Sequence, residues 1–318
     1  MPLTPLGGQP QTGALWTRRR LLTAAVGAVA APLLPVIDVG RPGEEWIEEA
    51  TNLDRRSEEM GPAVAVGNAE RLLEDLGTVI RQTSREFERR PLRVAAAIAG
   101  AAAGRAARWA GGDPTPYLTM AMQQASAAGH APAKAAVLVQ QAAVLTEQAV
   151  FTGALDARVT ETASAALWQA GATHAMAAMR SAARTQLAEE AAVAGDVTSA
   201  LAELDASIVE GQKAHLAASV LHGRCGIILL WCGRYDAARQ HLEHALGAEP
   251  IRRVLILTDL AMVDLTTGDA DAAAGHLEEA THLALATHAH GRLAGIRAVR
   301  AQVAPGPHRD RLDDVLRG

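Results

Sequence analysis

The 318-residue chain is rich in small apolar residues and poor in aromatic ones. Apolar residues make up 49% of the sequence and aromatic residues only 3%, and 70 residues are alanine. Because alanine favours helices and is depleted in strands, this composition excludes an all-β sandwich, and the lack of long Val/Ile runs argues against a parallel α/β sheet. The formal net charge of −5 provides no overall basic field for nucleic acid.

The N-terminal segment has two interpretations. Residues 1–16 are rich in Pro, Gly, Gln and Thr, and we expect them to form a disordered leader. Residues 17–38 begin with a run of arginines and continue as a weakly apolar stretch, which predicts a short basic-apolar helix. The pair Arg18-Arg19 before an apolar stretch also fits a twin-arginine export signal. Pro32 and Pro35 interrupt that stretch, so a stable membrane span is not expected.

The rest of the chain divides into a charged part and an alanine-rich part. Residues 39–92 carry clusters of acidic and basic residues, and the apolar residues from 62 to 90 recur at helical spacing. We interpret this region as a charged linker with capping helices. Residues 93–318 are interpreted as an array of helical hairpins, shielded at its end by a polar cap over residues 307–317.

The segment from residue 219 to residue 252 has the pattern of a 34-residue tetratricopeptide repeat (TPR), a pair of antiparallel helices. In this pattern small residues let the two helices approach closely, a glycine allows the tight turn, and a proline ends the second helix. The matching residues are Gly226, Leu229, Gly233, Tyr235, Ala238, Leu242, Ala245 and Pro250.

Turn signals recur along the array at intervals close to the repeat length. Gly268 follows Gly233 by 35 residues, and Gly195 precedes Gly233 by 38. Gly153 and Gly112-Asp113-Pro114 mark two earlier turns, at intervals of 42 and 41 residues. A generic alanine-rich helical bundle needs no such recurrence. The predicted fold class is therefore all-α, a TPR-like α-solenoid.

Several segments resemble the C-terminal sensor half of the large XRE-type helix-turn-helix regulators, whose sensor is a tetratricopeptide array. They are the arginine run that starts at Thr17, residues 53–62, Gly104 ahead of Gly112, and residues 254–261. In that family an N-terminal helix-turn-helix domain binds promoter DNA, while the array binds a peptide or protein and sets the oligomeric state. The resemblance implies a cytoplasmic regulatory protein with a peptide or protein partner, and a homo- or hetero-oligomer with a related regulator.

The chain departs from the family at its N-terminus. Only 16 residues precede the arginine run, and they show no pattern of a helix, a turn and a recognition helix. We therefore expect no direct DNA binding, with an upstream start of translation as an alternative. The competing hypothesis is a helical-repeat scaffold exported by the twin-arginine route, with a mature N-terminus near Ala31.

In a TPR-like array the first helix of each hairpin lines a concave groove in which peptides bind. An apolar anchor and polar side chains that hold a peptide backbone are the expected features of such a groove. The candidate partner-binding residues are Gln140, Gln141, Gln186, Glu189, Ile227, Trp231 and Met262. The alternative is that Trp231 packs as core and that the glutamines are ordinary solvated helix positions.

The sequence carries no motif for catalysis or for a cofactor. It has no phosphate-binding glycine loop, no nucleophile elbow and no Cys/His/Asp grouping. Histidines are frequent after residue 214, but their spacing matches no metal motif. Cys225 and Cys232 cannot form a disulfide framework and are too far apart on a helix to bind one ion. We expect neither enzymatic activity nor a bound cofactor or metal.

Overall fold

The computed structural model describes residues 43–57, 59–152, 156–171 and 173–317. Over this part of the chain the protein is all-α, without a strand. The predicted leader, the basic-apolar helix over residues 17–38 and the export signal at Arg18-Arg19 lie outside the described residues, as does the predicted turn at Gly153. None of the described helices is both long and apolar enough to cross a bilayer.

The described residues form fourteen α-helices, with one 3₁₀ turn at His174–Met176. In chain order the helices are α1 Glu44–Arg56, α2 Pro62–Gln82, α3 Glu86–Ala110, α4 Thr115–Ala127, α5 Ala131–Thr152, α6 Ala157–Ala170, α7 Ala177–Ala194, α8 Val197–Lys213, α9 Ala218–Trp231, α10 Tyr235–Ala245, α11 Pro250–Thr267, α12 Ala270–Ala286, α13 His290–Arg300 and α14 Pro307–Arg317.

Local sequence signals explain where several of these helices end and begin. Gly195 and Gly268 end α7 and α11 in the left-handed conformation, with φ of 81° and 90°, which glycine adopts without steric cost. The next residues, Asp196 and Asp269, each accept a hydrogen bond from a backbone N–H three positions later and so cap α8 and α12. A Gly-Asp pair is therefore a local stop-and-start signal in this chain.

The boundary that the sequence analysis places at residue 92 falls inside α3. Pro91 lies near the start of that helix and does not end it. Leu72 and Leu76 of α2 are buried in the same apolar cluster as Ile98 of α3. Residues 43–82 therefore pack directly on α3, because the apolar faces of α1 and α2 need a partner to be removed from water.

The helices form two sets with a regular pattern of contacts. Helices α3, α5, α7, α9, α11 and α13 each contact the next member of this set, and α13 contacts α3, so the contacts form a closed circuit. We call these six the inner helices. Helices α4, α6, α8, α10 and α12 each pack against the two inner helices that flank them in the chain.

The circuit closes where the backbones of α13 and α3 touch. A Cβ atom on Gly291 of α13 would lie 2.2 Å from the carbonyl oxygen of Arg108 and 2.9 Å from the backbone nitrogen of Gly111. Such distances leave no room for a side chain at residue 291. Glycine is thus required where the last inner helix meets the first.

Candidate functional site

The inner helices bring charged and amide side chains together in the interior of the protein. Each of the six contributes at least one such side chain that is buried or nearly buried. The members are Arg108 of α3, Gln140 and Glu147 of α5, Gln186 and Glu189 of α7, Arg224 of α9, Arg252 and Asp259 of α11, and Arg292 of α13. We call this set the buried polar centre.

Glu147 joins three inner helices at the point where the circuit closes. One of its carboxylate oxygens lies 3.6 Å from Nε of Arg108, and the other lies 3.4 Å from Nη1 of Arg292. Both arginine side chains are about 95% buried. Because charges attract more strongly away from water, this carboxylate holds α3, α5 and α13 together.

An aromatic ring lies beside the same junction. The indole of Trp109 is buried, with the guanidinium carbons of Arg105 and Arg292 at 5.4 and 5.9 Å from its ring centroid. These distances are within the range of cation–π attraction. Arg105 also forms a 2.7 Å ion pair with Asp54 of α1 and donates to Ser57 Oγ. Arg105 thereby anchors α1 to α3.

Glu189 is fully buried, and its pKa is higher than that of an ordinary glutamate. Neither of its carboxylate oxygens forms a hydrogen bond of ordinary geometry with a described residue, although the nearby Gln186 amide favours the charged form. Burial raises the pKa of Glu189 to about 7, against the attraction of Arg224 and Arg108, which favours the charged form. Burial and the nearby Glu189 also raise the pKa of Asp259 well above its ordinary value. Glu189 is therefore partly neutral near pH 7, and Asp259 keeps its proton to a higher pH than an exposed aspartate does.

The arginines, in contrast, stay charged. Burial lowers the pKa of Arg224 to about 9 and that of Arg292 to about 10, which still leaves both protonated at pH 7. Arg224 donates from Nη1 to Ser181 Oγ, while its Nε and Nη2 have no hydrogen-bond partner among the described residues. Four arginines in the described centre face three carboxylates, and burial raises the pKa of two of these, Glu189 and Asp259. The centre is therefore electropositive.

The structure brings only part of the predicted binding set into this centre. Gln140, Gln186 and Glu189 lie in it and are buried, and the Gln186 amide oxygen accepts a 2.8 Å hydrogen bond from Thr146. Gln141, on the same helix as Gln140, is half-buried.

The apolar members of the predicted set lie elsewhere. Ile227, Trp231 and Met262 belong to the main apolar cluster, in contact with other buried side chains rather than on an open groove. For Trp231 this placement agrees with the alternative that it packs as core.

Except for Glu189, sequence reasoning missed the charged members of the buried polar centre. A signal exists for some of them, because the charge interrupts an otherwise apolar stretch of helix. Asp259 follows the apolar run of residues 254–257, and Arg108 lies in the alanine-rich part of α3. An isolated charge in a stretch that must be buried indicates a paired or functional group.

The histidines that the sequence singles out include a cluster on α9 and α10. The Nδ1 atoms of His222 and His241 are 3.0 Å apart, and the ring of His244 stacks on His222 at 5.1 Å. Among the described residues, no group of three or more His, Cys, Asp or Glu is arranged to hold a metal ion. Both cysteines are buried, and burial raises the pKa of Cys225 to about 11.

Pockets among the described residues include two at the inner helices. One of about 20 Å³ lies between α9 and α11 and reaches Arg252 and Asp259 of the buried polar centre. The other, of about 190 Å³, lies between the α1–α2 turn, the start of α11 and the end of α12, with Met60, Pro250 and Thr287 in its lining. Of these two, the smaller is the one lined by residues of the centre.

Stability should depend on pH through Glu189. Its pKa is about 7 in the folded protein against an ordinary value of 4.5, so the folded state binds this proton more tightly than the unfolded state. The contribution of Glu189 to the free energy of unfolding should therefore fall as pH rises from about 4.5 to about 7 and stay constant above that. Relative to Glu189→Gln, we expect the wild type to lose on the order of 1–3 kcal/mol between pH 5 and pH 8.

Urea unfolding of both proteins at several pH values measures this loss. The difference between wild type and variant cancels the titration of all groups that do not interact with Glu189. A difference that stays constant across the range would contradict the assignment of a raised pKa to Glu189.

Comparison with known proteins supplies no relative for this chain. No family model, no curated protein and no solved structure matches it. Function is therefore inferred from the residues of the buried polar centre and from the packing that encloses them.

Proposed function

We propose that this protein is a non-enzymatic regulatory protein, a TPR-like α-solenoid whose inward face binds a peptide or protein partner. In this proposal it resembles the sensor part of a helix-turn-helix transcriptional regulator. The inner helices are the first helices of successive hairpins, and α4, α6, α8, α10 and α12 are the second helices.

The packing of the hairpin from α9 to α10 supports the solenoid part of the proposal. A Cβ atom on Gly226 would lie 2.5 Å from Cγ of Leu242, so the two helices approach at the glycine where a tetratricopeptide repeat needs a small residue. Ala238 and Ala245 of α10 are completely buried. Contacts that run from each hairpin to the next are the pattern expected of a repeat array.

The buried polar centre is the observation that supports binding. Apolar side chains of similar size would be at least as favourable for stability as buried ions, since removing charges from water is costly. Residues whose type is unfavourable for folding stability are typical of functional sites. The charges of this centre lie on the helices that would face a ligand, which fits selection for binding rather than for stability.

A pull-down from native lysate tests the proposal. The tagged full chain would be recovered alongside two variants, Arg224→Met in the centre and Arg253→Met, which removes a half-exposed arginine elsewhere on the molecule. We expect wild type and Arg253→Met to retain the same peptide or protein, and Arg224→Met to lose it. Native mass spectrometry of the eluate identifies the partner and any homo- or hetero-oligomer. Recovery of no partner, or of the same partner with Arg224→Met, would refute the proposal.

A further inference from the structure

The charges and hydrogen-bond donors of the buried polar centre also indicate which chemical class of ligand it would bind. We infer that the ligand presents an oxyanion, a carboxylate of a peptide in the first instance, to the guanidinium groups of Arg108 and Arg224, and takes the place of the Glu189 carboxylate beside them. This inference deepens the proposed function and rests on it.

The hydrogen-bond donors of the two arginines support the inference. Both side chains are more than nine-tenths buried. Nε and Nη2 of Arg224 and both terminal nitrogens of Arg108 have no hydrogen-bond partner among the described residues. A buried donor without a partner costs about 1–3 kcal/mol, more for a charged group. The guanidinium fork matches an oxyanion in geometry as well as in charge, so such a ligand would satisfy several of these donors at once.

The charges of the buried polar centre also favour an anionic ligand. Beside burial, repulsion from the nearby Arg252 lowers the pKa of Arg224, and repulsion from Arg108 lowers the pKa of Arg292. One more negative charge in the centre would relieve this repulsion. A cationic or neutral ligand would leave it in place, and a cation would add to it.

The carboxylate of Glu189 competes with the ligand for the guanidinium groups of Arg108 and Arg224. It is faced by Arg108 of α3, Glu147 of α5, Arg224 of α9 and Asp259 of α11, and Gln186 lies one helical turn before it on α7. When Glu189 is ionised, its carboxylate attracts the two arginines and repels an incoming anion. When Glu189 is protonated, both arginines are released for the ligand. Binding of an anion should therefore be coupled to uptake of a proton by Glu189.

The small volume of the pocket between α9 and α11 limits how a ligand can enter the centre. The pocket between α9 and α11 has a volume of about 20 Å³ and is lined by Arg252 and Asp259, which is room for about one water molecule. A peptide that enters the centre through this pocket must therefore separate these two inner helices. Binding should accordingly be slow and should change the hydrogen exchange of the inner helices.

Two matched pools of short peptides and inorganic phosphate test the inference on the full chain. The acidic pool contains Asp and Glu and has free C-termini, and the neutral pool has Asn and Gln at the same positions and amidated C-termini. Calorimetric titration at pH 6 and pH 8 gives the affinities. We expect the acidic pool to bind at least about tenfold more tightly than the neutral pool at pH 6. The affinity of the acidic pool should fall about tenfold by pH 8, because a group with a pKa of about 7 must be protonated.

Three variants separate the inferred contacts from general effects on folding. Glu189→Gln should bind the acidic pool more tightly than wild type at pH 8 and should lose the dependence on pH. Arg224→Met should bind at least about tenfold more weakly while unfolding at an equal or higher urea concentration, because a buried charge is replaced by an apolar side chain. Arg253→Met should behave as wild type.

Each outcome bears on either the inference or the proposed function. Equal binding of the two pools, dependent on Arg224, would overturn the inference and leave the proposed function standing. Binding of phosphate but of neither pool, lost in Arg224→Met, would support the oxyanion site and count against a peptide ligand. No binding of any probe would overturn the inference, while a partner recovered from lysate through Arg224 would still support the proposed function.

Discussion

Replacing Glu147 by alanine should destabilise the protein by about 3–5 kcal/mol, the cost typical of removing one partner from a buried ion network. Its carboxylate is the group within 3.6 Å of Arg108 and within 3.4 Å of Arg292. Without it, two buried guanidinium groups of like charge would remain at the junction of α3, α5 and α13. Urea unfolding followed by circular dichroism measures the loss.

An exposed ion pair of the same chain provides the matched control. Glu279 pairs with Arg253, and both side chains are nearly half exposed. Glu279→Ala should change the free energy of unfolding by less than about 1 kcal/mol, as exposed pairs usually do. If Glu147→Ala were as mild as this control, the ion network at the junction would not be holding the inner helices together.

Substitution of Gly291 by valine should cost about 3 kcal/mol or more, because the new side chain collides with backbone rather than with movable side chains. The nearest atoms to its Cβ would be the carbonyl oxygen of Arg108 at 2.2 Å and two backbone atoms of residues 109 and 111 at 2.9 Å. The strain is relieved only if α13 moves away from α3. Hydrogen exchange should then increase at the end of α3 and in α13 before it increases elsewhere.

Gly275 provides the control for this substitution. It lies within α12, and no atom comes within 4 Å of the position of its Cβ. Gly275→Ala should stabilise the protein by roughly 0.5–1 kcal/mol, because alanine restricts the unfolded chain and favours the helix. Equal effects of the two substitutions would show that the contact between α13 and α3 is not required for the fold.

The all-α class follows from information that is local in the sequence. Alanine content sets the helix propensity of almost every segment, and glycine at a position of positive φ followed by aspartate ends one helix and starts the next, as at Gly195-Asp196 and Gly268-Asp269. The same local logic places small residues such as Gly226 and Ala238 at the close approach of α9 and α10. These features depend only on residues within about one hairpin of each other. The spacing of residue types along the sequence is therefore enough to predict them.

The candidate site depends instead on contacts that are remote in the chain. Arg292 meets Glu147 across 145 residues, and Arg105 meets Asp54 across 51. Whether an arginine on an inner helix points to solvent or into the centre is decided by the closure of α13 on α3, which no local pattern encodes. Trp231 shows the same limit, because a bulky residue at a groove position becomes core once the neighbouring hairpin covers it.

The sequence by itself therefore determined the helical class and the hairpin turns, because propensity, capping and spacing act over a few residues. Only the tertiary structure decided that the inner helices form a closed circuit and that their charges share one buried, electropositive centre. The physical reason is that electrostatic interaction and desolvation depend on distance in space, and residues from six separate helices come within range only after the chain has folded.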